Sequence, residues 1–367
     1  MEKMVRSALV EAFSSRRVLV TGHTGFKGAW LSLWLSSLGA RVSGLALEPD
    51  ACGGLYEHLD KSVFADDVRC DIRDAGELRD VVLRTQPDYV FHLAAQPLVR
   101  ISYDDPLLTL TTNIIGSANV LEAVRGLDKT CHTVFVTSDK CYDNQEWLYS
   151  YRESDRLGGK DPYSMSKAAA ELVSECWRRS FFDKHPHGSK VISVRAGNVI
   201  GGGDYSADRI IPDCVRAALG GKELVIRSPR STRPWQHVID CLHGYLIAAI
   251  KAPGLPAGHA AETFNFGPRD AHEHPVLELA ENFFAQWGEG TSGVRVESVP
   301  DAKHEAGYLA VSIDKAQRLL GWHPTWHFEE AMKRTVDWFR ACHLERKNMN
   351  DYSLLELQAF MGAAEKV

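Results

Sequence analysis

Tyr163 and Lys167 stand four residues apart in YSMSK, so a helix through them presents both side chains on one face. An ammonium beside a phenol favours its ionisation, which moves a group with an ordinary pKa of about 10 toward useful base strength. Ser138, which closes the apolar run TVFVTS upstream, adds a hydroxyl. Together the three could move a proton to or from a substrate hydroxyl, although the Tyr–Lys spacing by itself describes a surface pair equally well. Asp139 and Lys140 follow at once in TSDK. They read either as the acid and base of an elimination or as an ion pair at a strand end.

Such groups need elements to hold them. From Arg17 onward, short β-branched runs (RVLVTG, RVSGLAL, DYVFHLAA, TVFVTS, VISVRAG) alternate with longer amphipathic stretches, the mark of parallel βαβ units. Seven strand signals are expected before residue 200. The fold class expected is α/β: a Rossmann-type doubly wound parallel sheet over residues 1–200, with returns near 237–268, and a smaller C-terminal α/β substrate domain over 201–345. A tail follows over 346–367, where SLLELQAFMGAAE fits either a docked helix or a frayed end. VLVTGHTGFKGAWL sets Gly22, Gly25 and Gly28 between a strand and an apolar helix, the context in which glycines admit a pyrophosphate to a helix N-terminus. Glu48, with Asp50 behind it, offers a carboxylate to ribose hydroxyls and repels a 2′-phosphate, so NAD is expected over NADP. Lys27 either attracts phosphate or is solvated. Asp71 and Ile72 border the adenine, or Asp71 caps a helix that begins at Arg73.

The chain's 367 residues fit about two domains. Its 44% hydrophobic and 25% charged content is that of a globular protein. Lys+Arg 42 against Asp+Glu 48 gives a net charge of −6, which argues against a nucleic-acid partner. No stretch is expected to reach spanning length, the best being Gly28 to Ala40, and MEKMVRSALVEAFSSRR is too charged for a secretory leader. A cytoplasmic protein without a membrane partner is expected. The eight cysteines form no CxxC pair and read as reduced, packed thiols; no metal is expected. His92 and His237 read as structural histidines.

GHTGFKGAWLSLWL, FHLAAQPLVRISY, TSDKCYDN, DPYSMSK, VRAGNVIGGGD and RPWQHV, in that order, resemble the nucleotide-sugar 4,6-dehydratases of the extended short-chain dehydrogenase/reductase (NAD-dependent epimerase/dehydratase) family, and among them those acting on CDP-glucose. The resemblance runs from about Arg17 to Arg340. It implies catalytic roles for Ser138, Tyr163 and Lys167, Asp139 as the elimination acid, and Lys140 as the carbon-5 base where dTDP-glucose relatives carry glutamate. It implies NAD contacts from Gly22, Thr24, Gly25, Phe26, Lys27, Gly28, Glu48, Asp71, Ile72, Leu93, Ala94, Ala95, Asn113, Tyr163 and Lys167. Asn198, Arg233 and Tyr308 are implied to border the sugar nucleotide; Arg233, with Arg227 and Arg209 behind it, suits a diphosphate by charge. Gln96 and Arg100 lie near the glucose or serve their loop, and Trp235 stacks on a pyrimidine or fills the core. His304, Glu305 and Ala306 keep the family's pattern before Tyr308, while Gly307 replaces its histidine. A homodimer or higher homo-oligomer is implied as well, with dimer contacts through helices near 107–125 and 163–182. The competing readings are a dehydratase on another nucleotide, a nucleotide-sugar 4-epimerase and a catalytically idle NAD-sensing protein.

Overall fold

Strands buried on both faces lose hydrophobic alternation and become continuous apolar runs. All of Val191–Ala196 is buried, as is Arg17–Thr21 beyond its first residue. The computed structural model describes residues 4–49, 54–256, 262–269, 274–288, 293–297 and 308–366. Six strands precede residue 198: β1 (Arg17–Thr21), β2 (Arg41–Ala46), β3 (Asp66–Arg69), β4 (Tyr89–His92), β5 (His132–Val136) and β6 (Val191–Ala196). Two parallel ribbons follow, β7 (Val199–Ile200) with β9 (Gln236–His237), and β8 (Leu224–Ile226) with β11 (Val294–Val296). β10 (Thr263–Phe266) then returns to the main sheet, whose order is β10-β6-β5-β4-β1-β2-β3 with every pair parallel. This is a Rossmann-type sheet. The seventh strand of this sheet, β10, lies in the return expected near 237–268, while β7, at the end of the first 200 residues, pairs outside it. Order reverses between β1 and β4, where Val18 faces Val42 on one side and Tyr89 on the other. A crevice opens at such a switch point beyond the strands' carboxyl ends.

Twelve α-helices run along the described chain: α1 (Met4–Phe13), α2 (Phe26–Ser37), α3 (Ala75–Thr85), α4 (Val99–Asp104), α5 (Pro106–Leu110), α6 (Ser117–Arg125), α7 (Pro162–Trp177), α8 (Ile210–Gly220), α9 (Val238–Lys251), α10 (Val276–Trp287), α11 (Phe328–His343) and α12 (Met349–Ala364). α1 is a core helix, its Leu9 and Phe13 buried and Phe13 packed 5.1 Å from Tyr89 between ring centroids. α3 starts at Ala75, and Asp74 caps it by accepting from Gly76 N (3.0 Å) and Glu77 N (2.9 Å). The cap reading of Asp71 is therefore corrected. The continuous helical run Pro106–Arg125 has spanning length, with a window of mean hydropathy 1.2 of which 44% is buried in the protein, but it carries Glu122 and Arg125 and is not an uncharged apolar stretch.

α12 settles the tail. Its low asymmetry reflects burial on more than one side: Phe360 is fully buried among Trp34 of α2 (5.7 Å), His243 of α9 (5.4 Å) and Trp326 (5.1 Å). Trp338 Nε1 donates to Ser353 Oγ at 2.9 Å. Phe360→Ala removes a ring shared by four segments and is expected to cost about 3–5 kcal/mol, read as a lowered midpoint in denaturant unfolding. A midpoint unchanged from wild type would show that α12 is not part of the cooperative unit.

Candidate active site

The glycine turn is a cradle that side chains would fill. Gly22 has φ +76°, and a Cβ on it would lie 2.8 Å from Ala94 N. A Cβ on Gly28 would meet Gly22 O at 2.1 Å. Gly25 is the N-cap of α2 and no side chain caps that helix, so its first amides are left for an anion. These features fit a dinucleotide's pyrophosphate. Leu93, Ala94 and Ala95 leave β4 beside the turn, with Ala94 N donating to Thr21 Oγ1 at 3.2 Å. Thr24 Oγ1 donates to Leu47 O (3.2 Å), and Phe26 packs on the core near Gly201. Lys27 is not simply solvated: its Nζ donates to the buried Tyr245 hydroxyl at 3.3 Å.

At the neighbouring strand ends, Glu48 is 79% exposed and accepts from Arg69 Nε at 3.1 Å. Asp71 accepts from Arg73 Nη2 at 2.5 Å, a bond that holds its carboxyl below the usual range. Ile72 is buried against Gly116. Asn113 is buried and spent internally, donating to Gln96 O (3.0 Å) and Ser166 Oγ (2.8 Å) and accepting from Gln96 N (2.8 Å). Asp50 lies outside the described residues, as do His304 to Gly307 and Cys52.

β5 and α7 bring the proton-transfer groups together. Ser138 follows β5 and caps the single turn Asp139–Cys141, accepting from Lys140 N at 3.2 Å. Asp161 caps α7, with Pro162 in the first turn, and so fixes where Tyr163 begins. Burial pushes the Tyr163 phenol up to about 12, opposed by the neighbouring Ser138 hydroxyl and the Arg209 charge. Burial pushes Lys167 down to about 8, helped by the Lys27 charge and opposed by Glu171. Asp139 is fully buried; its Oδ1 accepts from Ser138 Oγ at 3.0 Å, and its Oδ2 has no hydrogen-bond partner among the described residues. An unmet buried carboxylate oxygen is costly, and it marks a place where a ligand group belongs. Lys140 Nζ lies 3.8 Å from Asp139 Oδ1 and 3.5 Å from Asn198 Oδ1, with the lysine side chain 30% exposed. The site thus buries its acid candidate but leaves its base candidate in contact with solvent.

Beneath this constellation lies a polar network that sequence inspection does not reveal. Glu171, one helical turn beyond Lys167, accepts from Thr137 Oγ1, from Ser193 Oγ (2.5 Å) and from Arg195 Nη2 (2.8 Å). Arg195 also donates to the Tyr142 hydroxyl at 2.9 Å. Thr137 immediately precedes Ser138, so the network ties the end of β5 to the helix carrying Tyr163 and Lys167. The i,i+4 spacing of Lys167 and Glu171 is the one signal in the sequence that points to it. Tyr245, which meets Lys27, has none.

Other expected positions disperse. Arg209 pairs with Asp204 at 3.0 Å and lies near Tyr163. Arg100 pairs with Asp208 at 2.7 Å. The Gln96 amide is used within its own region, donating to Leu98 O (3.1 Å) and Thr109 Oγ1 (2.8 Å) and accepting from Leu98 N (2.6 Å). Arg227 is exposed after β8, and Arg233 Nη1 donates to Thr232 O at 2.8 Å. Tyr308 is half-buried, its carbonyl accepting from Asn144 Nδ2 at 2.9 Å. Trp235 is buried, and its Nε1 donates to His274 O at 2.9 Å. His92 is buried between Thr21 Oγ1 (2.8 Å) and Ser117 Oγ (2.9 Å), and His237 caps α9.

The chain is similar to several known proteins. The CDP-glucose 4,6-dehydratase of Salmonella typhimurium is 42% identical over 358 residues, spanning 96% of this chain and 98% of its own. The dTDP-glucose 4,6-dehydratase 1 of Escherichia coli is 26% identical over 352 residues, covering 88% of this chain and 92% of its own. Among solved structures, an epimerase from Methanothermobacter thermautotrophicus superposes with a TM-score of 0.77 at 27% identity, covering 94% of this chain and 97% of that one. A dTDP-glucose 4,6-dehydratase from Streptomyces venezuelae, solved with NAD bound, gives 0.73 at 25% identity over 88% and 97%. The profile of the GDP-mannose 4,6-dehydratase family matches residues 19–335, and with a glycine cradle, a buried Ser–Tyr–Lys set and an acid beside it, this chain belongs to that family.

Proposed function

We propose that the protein converts CDP-D-glucose to CDP-4-dehydro-6-deoxy-D-glucose and water, using NAD. The observation that carries this reading is Asp139: a fully buried carboxyl, one oxygen bonded to Ser138 and the other without a hydrogen-bond partner among the described residues, beside Tyr163. An epimerase has no need of an acid and a base beside its Ser–Tyr–Lys set. The 42% identity to a CDP-glucose 4,6-dehydratase supports the nucleotide. Gly22, Gly25, Gly28 and the start of α2 would hold the pyrophosphate of NAD, which would supply a hydride acceptor for carbon 4 and a hydride donor for carbon 6.

The chain's own residues handle the protons. Tyr163, as phenolate, takes the proton of the 4-hydroxyl, and Ser138 donates a hydrogen bond to that oxygen. Lys167 stabilises the phenolate by charge. The ketone formed at carbon 4 acidifies carbon 5, whose proton goes to the Lys140 amine. Protonated Asp139 gives its proton to the 6-hydroxyl, which leaves as water. Lys140 then reprotonates carbon 5. Asn198, Arg209, Arg227, Arg233 and Tyr308 would hold the sugar nucleotide, with dinucleotide binding left to the first 200 residues.

Leu107 (71% exposed), Ile115 and Leu172 (56%) present apolar side chains on the helices near 107–125 and 163–182. They support a homodimer through those helices. The catalytic reading is tested by incubating the protein and NAD with CDP-, dTDP-, GDP- and UDP-glucose. A product from CDP-glucose with the alkaline absorbance of a 4-keto-6-deoxy sugar is expected. An epimerised sugar, or no turnover of any donor, rules the reading out.

A further inference from the structure

Glu171 and Arg195 are buried and paired, and the proton path makes no use of them. A buried ion pair loses most of its Coulombic gain to desolvation, so what it fixes in place matters more than what it adds to stability. Glu171 stands one turn beyond Lys167 on α7 and meets the end of β5 and the middle of β6. Its Oε1 accepts from Thr137 Oγ1 and from Ser193 Oγ (2.5 Å), and its Oε2 from Arg195 Nη2 (2.8 Å). Burial raises the Glu171 carboxyl, but the Arg195 charge and these bonds outweigh it and hold the group below its usual range. The carboxylate is therefore ionised at neutral pH and can only accept, which turns each neighbouring hydroxyl toward it.

Two branches leave this pair, and they end at different parts of the site. On the first, Thr137 immediately precedes Ser138, and its backbone N donates to Val194 O of β6 at 2.9 Å. The bond to Glu171 fixes that residue against the helix carrying Tyr163 and Lys167. On the second, Arg195 Nη1 donates to the Tyr142 hydroxyl at 2.9 Å, and the guanidinium lies 4.9 Å from the centre of that ring. Tyr142 donates onward to Asn265 Oδ1 of β10 at 2.7 Å. Its backbone closes the turn Asp139–Cys141, Tyr142 N donating to Asp139 O at 3.4 Å. One branch thus reaches a group assigned to oxidation, the other the two groups assigned to loss of water. We propose that Glu171 and Arg195 are a positioning pair with separable duties: through Thr137 they place Ser138 for oxidation at carbon 4, and through Tyr142 they place Asp139 and Lys140 for elimination. This rests on the dehydratase reading above.

The test is a stopped-flow single turnover of the full-length protein with NAD and CDP-glucose, followed by the absorbance of the reduced nicotinamide. That signal rises as carbon 4 is oxidised and decays as hydride returns to carbon 6, after water has left. Thr137→Val keeps the side chain's shape and leaves Glu171 its bonds from Ser193 and Arg195. It should slow the rise by about tenfold, the cost of a fraction of an ångström where 1 Å costs on the order of 10²-fold. Thr137→Ser, which keeps the hydroxyl, should restore it. Tyr142→Phe keeps the ring stacked on Tyr151 at 5.0 Å and leaves Arg195 Nη1 its bond to Glu153 O. It should spare the rise and slow the decay by about tenfold. Rate constants do not depend on how much of the protein is folded, so a loss of stability cannot imitate either result. NAD affinity, measured by calorimetry without turnover, should be unchanged in both variants. Equal slowing of the two phases by either variant, no slowing of either phase, or slowing that follows weakened NAD binding overturns the proposal. If wild type oxidises the sugar but releases no water, or leaves it untouched, the dehydratase reading itself falls and takes this proposal with it.

Discussion

Tyr163→Phe is expected to lower kcat by roughly 10³-fold while leaving the protein folded, because the change removes the group that exchanges a proton with the 4-hydroxyl. Ser138 keeps its bond to Asp139, so no buried donor is stranded and the unfolding midpoint should hardly move. The pH profile adds a second signature. In the free protein the phenol sits at about 12 and Lys167 at about 8. Lys167 is therefore charged below pH 8 and loses its proton as pH rises through that value. With it goes the ammonium that favours the phenolate, so kcat/KM should fall on the alkaline side. Lys167→Arg, charged throughout, should carry that limb upward. A Tyr163→Phe enzyme within tenfold of wild type, or an alkaline limb unmoved in Lys167→Arg, would remove these residues from the proton path.

The glycine turn and the Ser–Tyr–Lys set are legible in the sequence because each depends on spacing within a few residues or on a strand-to-helix step. What cannot be read there depends on which strands lie side by side. Arg69 meets Glu48 only because β3 pairs with β2, and in the sequence DDVR is a polar run at an edge. β10 is visible as a strand, but nothing local says that it pairs with β6. Gln96 and Asn113 have side chains that suit ligands equally well; the structure turns Asn113 onto the Gln96 backbone and Gln96 onto Leu98 and Thr109. Met4–Phe13 packs as a helix because Leu9 and Phe13 fall on one side, over the sheet. For Lys140 the sequence poses a condition, a buried amine, and the structure instead leaves the side chain partly exposed beside Asp139 and Asn198.

That placement shapes the second large effect. Asp139→Asn keeps the shape and the acceptor for Ser138 but cannot deliver a proton, so departure of the 6-hydroxyl should slow by about 10²–10³-fold. Oxidation at carbon 4 depends on Ser138, Tyr163 and Lys167 and should change by less than about tenfold, since a general acid serves only the step in which its proton moves. The 4-keto glucose intermediate should then accumulate in a chemically quenched single turnover. Solvent deuterium separates the two partners. With Asp139→Asn, carbon 5 should still exchange its proton with the medium, because Lys140 remains; with Lys140→Met, that exchange should stop and the 4-keto sugar should be recovered unlabelled. Loss of carbon-4 oxidation in step with water loss in Asp139→Asn would assign Asp139 to holding Ser138 in place, through the 3.0 Å bond between them, and leave the proton donor to be found elsewhere in the crevice.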